Sequence, residues 1–270
     1  MTDSPAPPPL VESLEQNELV TPAPPPFPVW SGWDVVFLFC FAAFCVLMLA
    51  AAGEAAKHFV HSKLPSARHL LQSPNEGIYL FLFQALLDAL ILLFIYFTIT
   101  LKYNASFLDS LKWFPRKEAR VAISVYVPLG IVLALAVLGA STLFPNPQES
   151  PIEKLLKVPL TAFLFAMLGV LVAPFVEEVI FRGFFYPVVE RCLGKTSAVV
   201  ATALLFSGVH VSQLWGSWAA IILITVVGFT LSSVRARTDA LLPSFIIHLA
   251  YNSTICLLFL IGVLVQGFPV

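Results

Sequence analysis

Charge is what this chain has least of: Asp, Glu, Lys and Arg make up 11% of its 270 residues, against 59% hydrophobic side chains. Soluble domains carry about 25% charged and about 45–50% apolar residues, so this balance argues against a water-soluble fold. No basic surface is rich enough to suggest nucleic acid, the formal net charge being -1. The cysteines Cys40, Cys45, Cys192 and Cys256 show no CxxC spacing, which argues against a zinc or disulfide framework. The N-terminus lacks a basic stretch followed by a short apolar core, so it does not read as a signal peptide.

What is present is a series of apolar runs of the length that crosses a bilayer core of about 30 Å, roughly 20 residues each. Seven spans are expected, at about 34–53, 78–100, 121–143, 158–181, 197–214, 217–234 and 241–264. The fold class is therefore all-α, a polytopic transmembrane helix bundle. Residues 1–30 precede it as a disordered Pro-rich tail with PAPPP at Pro5–Pro9 and Pro22–Pro26. Residues 31–157 form the N-terminal transmembrane helices, and 257–270 the end of the last helix and the C-terminus. With the N-terminus cytoplasmic, the inner connections hold ten Lys and Arg and the outer ones five, which predicts that orientation and an outward C-terminus. His58, His61 and His69 match no ligand spacing and read as part of a solvated or interfacial segment. Residues 106–115 read as an interfacial helix or a plain connection.

Because charge is so scarce, the few polar residues inside apolar runs carry the argument. The fourth run contains Glu177, Glu178 and Arg182. A charge at the centre of a membrane helix costs roughly 2.5–3.5 kcal/mol on insertion scales, so these three should face one another or a wet cavity. Glu178 and Arg182 stand at i and i+4, the acid N-terminal, which suits an ion pair. Glu177 is turned by about 100° from Glu178 and remains free to act as a base. A buried polar lock between helices is the bland alternative. His210 in the fifth span, and His248 with Asn252 at i and i+4 in the seventh, add two further polar positions. Gln84 and Asp88, also at i and i+4, could line the same cavity, although interhelical hydrogen bonding explains them as well. Pro174 frees a backbone carbonyl one turn before the carboxylates.

The elements EExxxR at Glu177–Arg182, FxxxH at Phe206–His210 and HxxxN at His248–Asn252 resemble the CPBP intramembrane protease family. That family includes type II CAAX prenyl endopeptidases and bacteriocin-processing and immunity-type proteins. The resemblance covers 158–256, the expected catalytic core, and implies peptide-bond hydrolysis within a membrane cavity. It implies that Glu177 activates water, that His210 positions it or shuttles its proton, that His248 and Asn252 stabilise the oxyanion, and that Glu178 and Arg182 fix the helix. The implied partners are membrane lipid and a peptide or protein substrate, lipidated if it is a prenylated peptide; the implied location is a bacterial-type cell membrane. The cofactor stays open: two histidines and a glutamate could hold zinc with a water, but no HExxH helix is present and a metal-free glutamate mechanism is slightly preferred. Two other readings also stay open, a non-enzymatic immunity or chaperone-like membrane protein and a proton-coupled transporter.

Overall fold

A computed structural model describes residues 27–64, 66, 76–115, 123–144 and 151–266. The expected tail at 1–26, His69 and the Lys/Arg cluster at 116–120 lie outside the described residues. The chain is an all-helical bundle running α1 (Gly32–Lys63), α2 (Glu76–Phe97), α3 (Phe107–Ser110), α4 (Ile123–Ser141), α5 (Pro151–Leu156), α6 (Pro159–Met167), α7 (Ala173–Glu177), α8 (Tyr186–His210), α9 (Trp218–Thr238) and α10 (Leu242–Gln266). Among the described residues, six helical stretches are long and apolar enough to cross a bilayer, and the chain is an integral membrane protein. Their outward faces carry exposed Phe37, Phe44, Leu47, Leu82, Ile222 and Phe229, as lipid contact requires.

The fourth stretch, Pro159–His210, contains both the fourth and fifth expected spans. It reverses at Gly194, whose φ of 80° and ψ of 169° break the helix, a left-handed backbone that glycine adopts without steric cost. Phe181 then faces Phe206 and Glu177 faces His210, pairs that straddle 193–194 symmetrically. The two arms therefore form an antiparallel hairpin whose exposed turn carries Arg191 and Lys195.

Three segments widen from α to π geometry: Thr98–Lys102, Leu168–Val172 and Glu178–Phe185. The last two have a common cause. A proline in a helix lacks its N–H and its ring clashes with the carbonyl four residues earlier. For Pro174 and Pro187 those carbonyls are on Val170 and Gly183, inside the two π segments, where the wider ladder moves them aside.

The expected tail does not stay free to residue 30. Trp30 is fully buried, stacks on Phe184 at 4.9 Å and donates its indole N–H to the Phe184 carbonyl at 2.9 Å. Arg191 donates to the carbonyls of Pro28 and Trp30. Aromatic burial with a satisfied N–H outweighs the solvation that proline-rich composition favours. Likewise 106–115 forms a single helical turn, not an interfacial helix: Leu111 is buried in the core and Trp113 packs against Phe175 and Phe245. α1 runs ten residues past its expected end, carrying His58 and His61 on exposed turns.

α4 and α10 pack closely because Gly130 leaves room: a Cβ there would stand 2.4 Å from the Ile247 carbonyl oxygen. That approach fixes the height of the next residue along α10, His248.

Candidate active site

The hairpin and α10 bring the sequence-predicted residues together. Glu178 and Arg182 are both fully buried, with Arg182 Nη1 donating to Glu178 Oε1 at 3.0 Å, so the expected pair is formed. Arg182 also donates from Nη2 to the Gly228 carbonyl at 3.0 Å and from Nε to Ser232 Oγ at 3.3 Å, and its guanidinium lies 4.4 Å from the centre of the Phe206 ring. A buried guanidinium is tolerable only when its donors are met in this way.

His248, buried in α10, stands between the two carboxylates. Its Nδ1–H donates to Glu178 Oε1 at 3.1 Å, and its Nε2 lies 3.5 Å from Glu177 Oε2. His210 donates Nδ1–H to the Phe206 carbonyl at 2.7 Å and turns Nε2 to Glu177 Oε1 at 3.8 Å. A carbonyl or carboxylate can only accept, so these bonds set the proton on Nδ1 of both rings. In the neutral form each ring then presents an Nε2 lone pair toward Glu177. Two lone pairs facing a carboxylate beyond direct bonding distance are satisfied by protons supplied between them, which is where a water molecule would serve.

Glu177 and His210 open onto a cavity of about 390 Å³ lined mostly by apolar residues of α6, α7 and α10, with Gln84, Gln213, Tyr251 and Asn252 as its polar side chains. Gln84 donates to Asp88 Oδ1 at 2.8 Å, a bond within α2 and not between helices, and Asp88 lies within electrostatic reach of Glu177. Asn252 donates from Nδ2 to the Gly169 carbonyl at 2.7 Å. The π segment explains why that carbonyl is available. The Ala173 N–H goes to Leu168, and the next N–H in the π register would be that of Pro174, which has none.

Three residues of this network escaped the sequence reading. Gly228 and Ser232 carry no signal of their own. Arg235 follows an apolar run and is one of the ten Lys and Arg of the expected inner connections, yet it is fully buried and donates Nε–H to the Arg182 carbonyl at 3.2 Å. No connection can offer water to a residue that the bundle encloses.

As for a metal, no group of three His, Cys, Asp or Glu side chains able to hold one occurs among the described residues. Glu177 turns Oε1 to His210 and Oε2 to His248.

Residues 159–254 match the family model of type II CAAX prenyl endopeptidase Rce1-like. Over this segment the chain is similar to the Rce1-like family. All the site residues named above except Gln84 and Asp88 fall inside the match, and the hairpin, α9 and most of α10 are the parts of the bundle that the family accounts for. No curated protein matches the chain, and no solved structure does.

Proposed function

We propose that this Rce1-like protein is an intramembrane endopeptidase in which Glu177 activates water against a peptide carbonyl held in the apolar cavity. The observation that supports this reading most is the position of one carboxylate at the cavity wall with the Nε2 atoms of two oriented histidines beside it. Glu177 takes a proton from water as the oxygen bonds to the scissile carbonyl carbon, with His210 Nε2 accepting the water's second hydrogen bond. The proton passes to His248 Nε2, which becomes a donor to the oxyanion, and the free N–H of Asn252 is the second donor. Collapse breaks the C–N bond, and the proton leaves on the new amine. Glu178 and Arg182 hold His248 and the helix in place throughout. No step passes through a metal.

The catalytic unit is 158–256, built on the membrane helices of 31–157. The cavity is lined mostly by apolar residues, which suits a lipidated peptide, and the match to the Rce1-like family supports a prenylated C-terminal tetrapeptide motif as the substrate class. The N-terminus is cytoplasmic, in a bacterial-type cell membrane. The test is cleavage of a fluorogenic farnesylated peptide ending in Cys-aliphatic-aliphatic-X by purified protein in nanodiscs. Turnover by the parent and none by Glu177→Gln is expected. Turnover by both would remove Glu177 as the base, and absence of cleavage across prenylated and unmodified membrane peptides would favour a binding protein instead.

A further inference from the structure

The π segment Glu178–Phe185 repeats, at its own end, the construction seen at Gly169. The Tyr186 N–H is spent on the Phe181 carbonyl, five residues back. The next donor in that register belongs to residue 187, a proline, so the Arg182 carbonyl has no intrahelical N–H. A buried carbonyl without a donor is costly, and here Arg235 of α9 reaches it with Nε–H at 3.2 Å. Asn252 does the same for Gly169 from α10. Two prolines thus each strand one carbonyl on the catalytic helix, and a side chain from a different helix meets each.

We propose, resting on the proteolytic reading above, that Arg235 is a positioning residue for catalysis: its Nε–H replaces the N–H that Pro187 lacks and holds open the π register that aims Glu178, Arg182 and, through them, His248. Without it, Tyr186 N–H is drawn back to the Arg182 carbonyl, the α register of four residues, and the segment tightens. Tightening turns Glu178 relative to the arm beyond it and drives the Pro187 ring at the Gly183 carbonyl. Arg235 is itself held by Asp239, from Nη1 to Oδ1 at 3.3 Å. Asp239 keeps Lys112 when Arg235 is removed, since Lys112 Nζ bonds both its oxygens at 2.8 and 2.7 Å. The loss therefore falls on the Arg182 carbonyl and on the Tyr186 ring, whose centre lies 5.5 Å from the Arg235 guanidinium.

The decisive experiment uses proline as the genetic counterpart of the missing donor. Arg235→Met in the full chain should lower kcat on the farnesylated peptide by about 10²-fold with little change in KM, as a misplaced catalytic group does. It should also speed amide hydrogen exchange across 178–190. Pro187→Ala restores a backbone N–H able to reach the Arg182 carbonyl, so the double variant Pro187→Ala/Arg235→Met should recover at least about tenfold of kcat and most of the exchange protection. Asp239→Asn keeps an oxygen for Arg235 Nη1 and leaves the Nε bond in place, so it should lower kcat by less than Arg235→Met does. A double variant no better than Arg235→Met, or parental kcat and exchange in Arg235→Met, overturns the proposal. If Arg235→Met does not fold, Arg235→Lys takes its place, and recovery of folding by Pro187→Ala supports the proposal while failure to recover refutes it. If the parent cleaves nothing, the proteolytic reading falls and the exchange comparison alone decides this one.

Discussion

Glu178→Gln isolates the cost of leaving a guanidinium without a counter-charge in a membrane protein's core. The amide keeps an oxygen for Arg182 Nη1, so the hydrogen bond at 3.0 Å can survive and only the charge is lost. Removing one partner of a buried ion pair costs about 3–5 kcal/mol. Arg182 retains the Gly228 carbonyl, Ser232 Oγ and the Phe206 ring, which places the expected loss at the lower end, about 3 kcal/mol. The double variant Glu178→Gln/Arg182→Met has no stranded charge, and should be destabilised by less than the sum of the two single changes, by about 2 kcal/mol. Unfolding followed by circular dichroism in a mixed-micelle denaturant series measures all four proteins. A Glu178→Gln protein as stable as the parent, or strictly additive singles, would refute the account of Glu178 and Arg182 as a mutually dependent buried pair.

Glu177→Gln should instead leave stability near the parental value and lower turnover by about 10²–10⁴-fold, the range for loss of a general base, as read on the farnesylated peptide. At the bundle end, burial acts to raise the Asp239 carboxyl, but the hydrogen bonds and charges of Lys112 and Arg235 outweigh it and hold the group below the ordinary carboxylate range. A depressed folded value means its stabilisation is complete above the unfolded value of about 3.9 and disappears as pH falls through the folded one; thermal unfolding from pH 6 to pH 3 should show this fall, and Asp239→Asn should lack it. Prolonged chelation should leave turnover unchanged and His248→Asn should retain a fraction of it, whereas stoichiometric zinc lost together with activity in His210→Ala would make the enzyme a metalloprotease. Reporters fused at residue 1 or within 101–120 should lie in the cytoplasm and one at residue 270 outside, if the arms of the Gly194 hairpin each cross the bilayer; a cytoplasmic C-terminus would mean that they do not.

The candidate site was legible in the sequence where a charge in lipid is expensive. Glu177, Glu178 and Arg182 stand out because lipid penalises them, and i, i+4 spacing correctly paired the second glutamate with the arginine. The spans were legible for the same reason, and the join between the fourth and fifth runs fell in the charged stretch around Arg191 and Lys195. The π register was not, because it depends on donors outside the helix: nothing near Pro187 in sequence says that Arg235 will supply the missing N–H. Arg235 itself follows an apolar run and resembles any membrane-edge cation, so only its burial reveals the role. Trp30 was absorbed into a proline-rich composition that describes the residues before it and not its own fit against Phe184.

The division of the site between the hairpin and α10 also bears on the order in which the protein is made. Domains form from the N-terminal end during synthesis. The hairpin brings Glu177 to His210, and pairs Glu178 with Arg182, before α10 has left the ribosome. His248, 70 residues after Glu178, and Asn252 both arrive with that helix. Until then Glu177 has one imidazole instead of two and the Gly169 carbonyl lacks its donor. A nascent chain that stops short of α10 therefore places Glu177 and Glu178 in the membrane without His248 and Asn252 beside them.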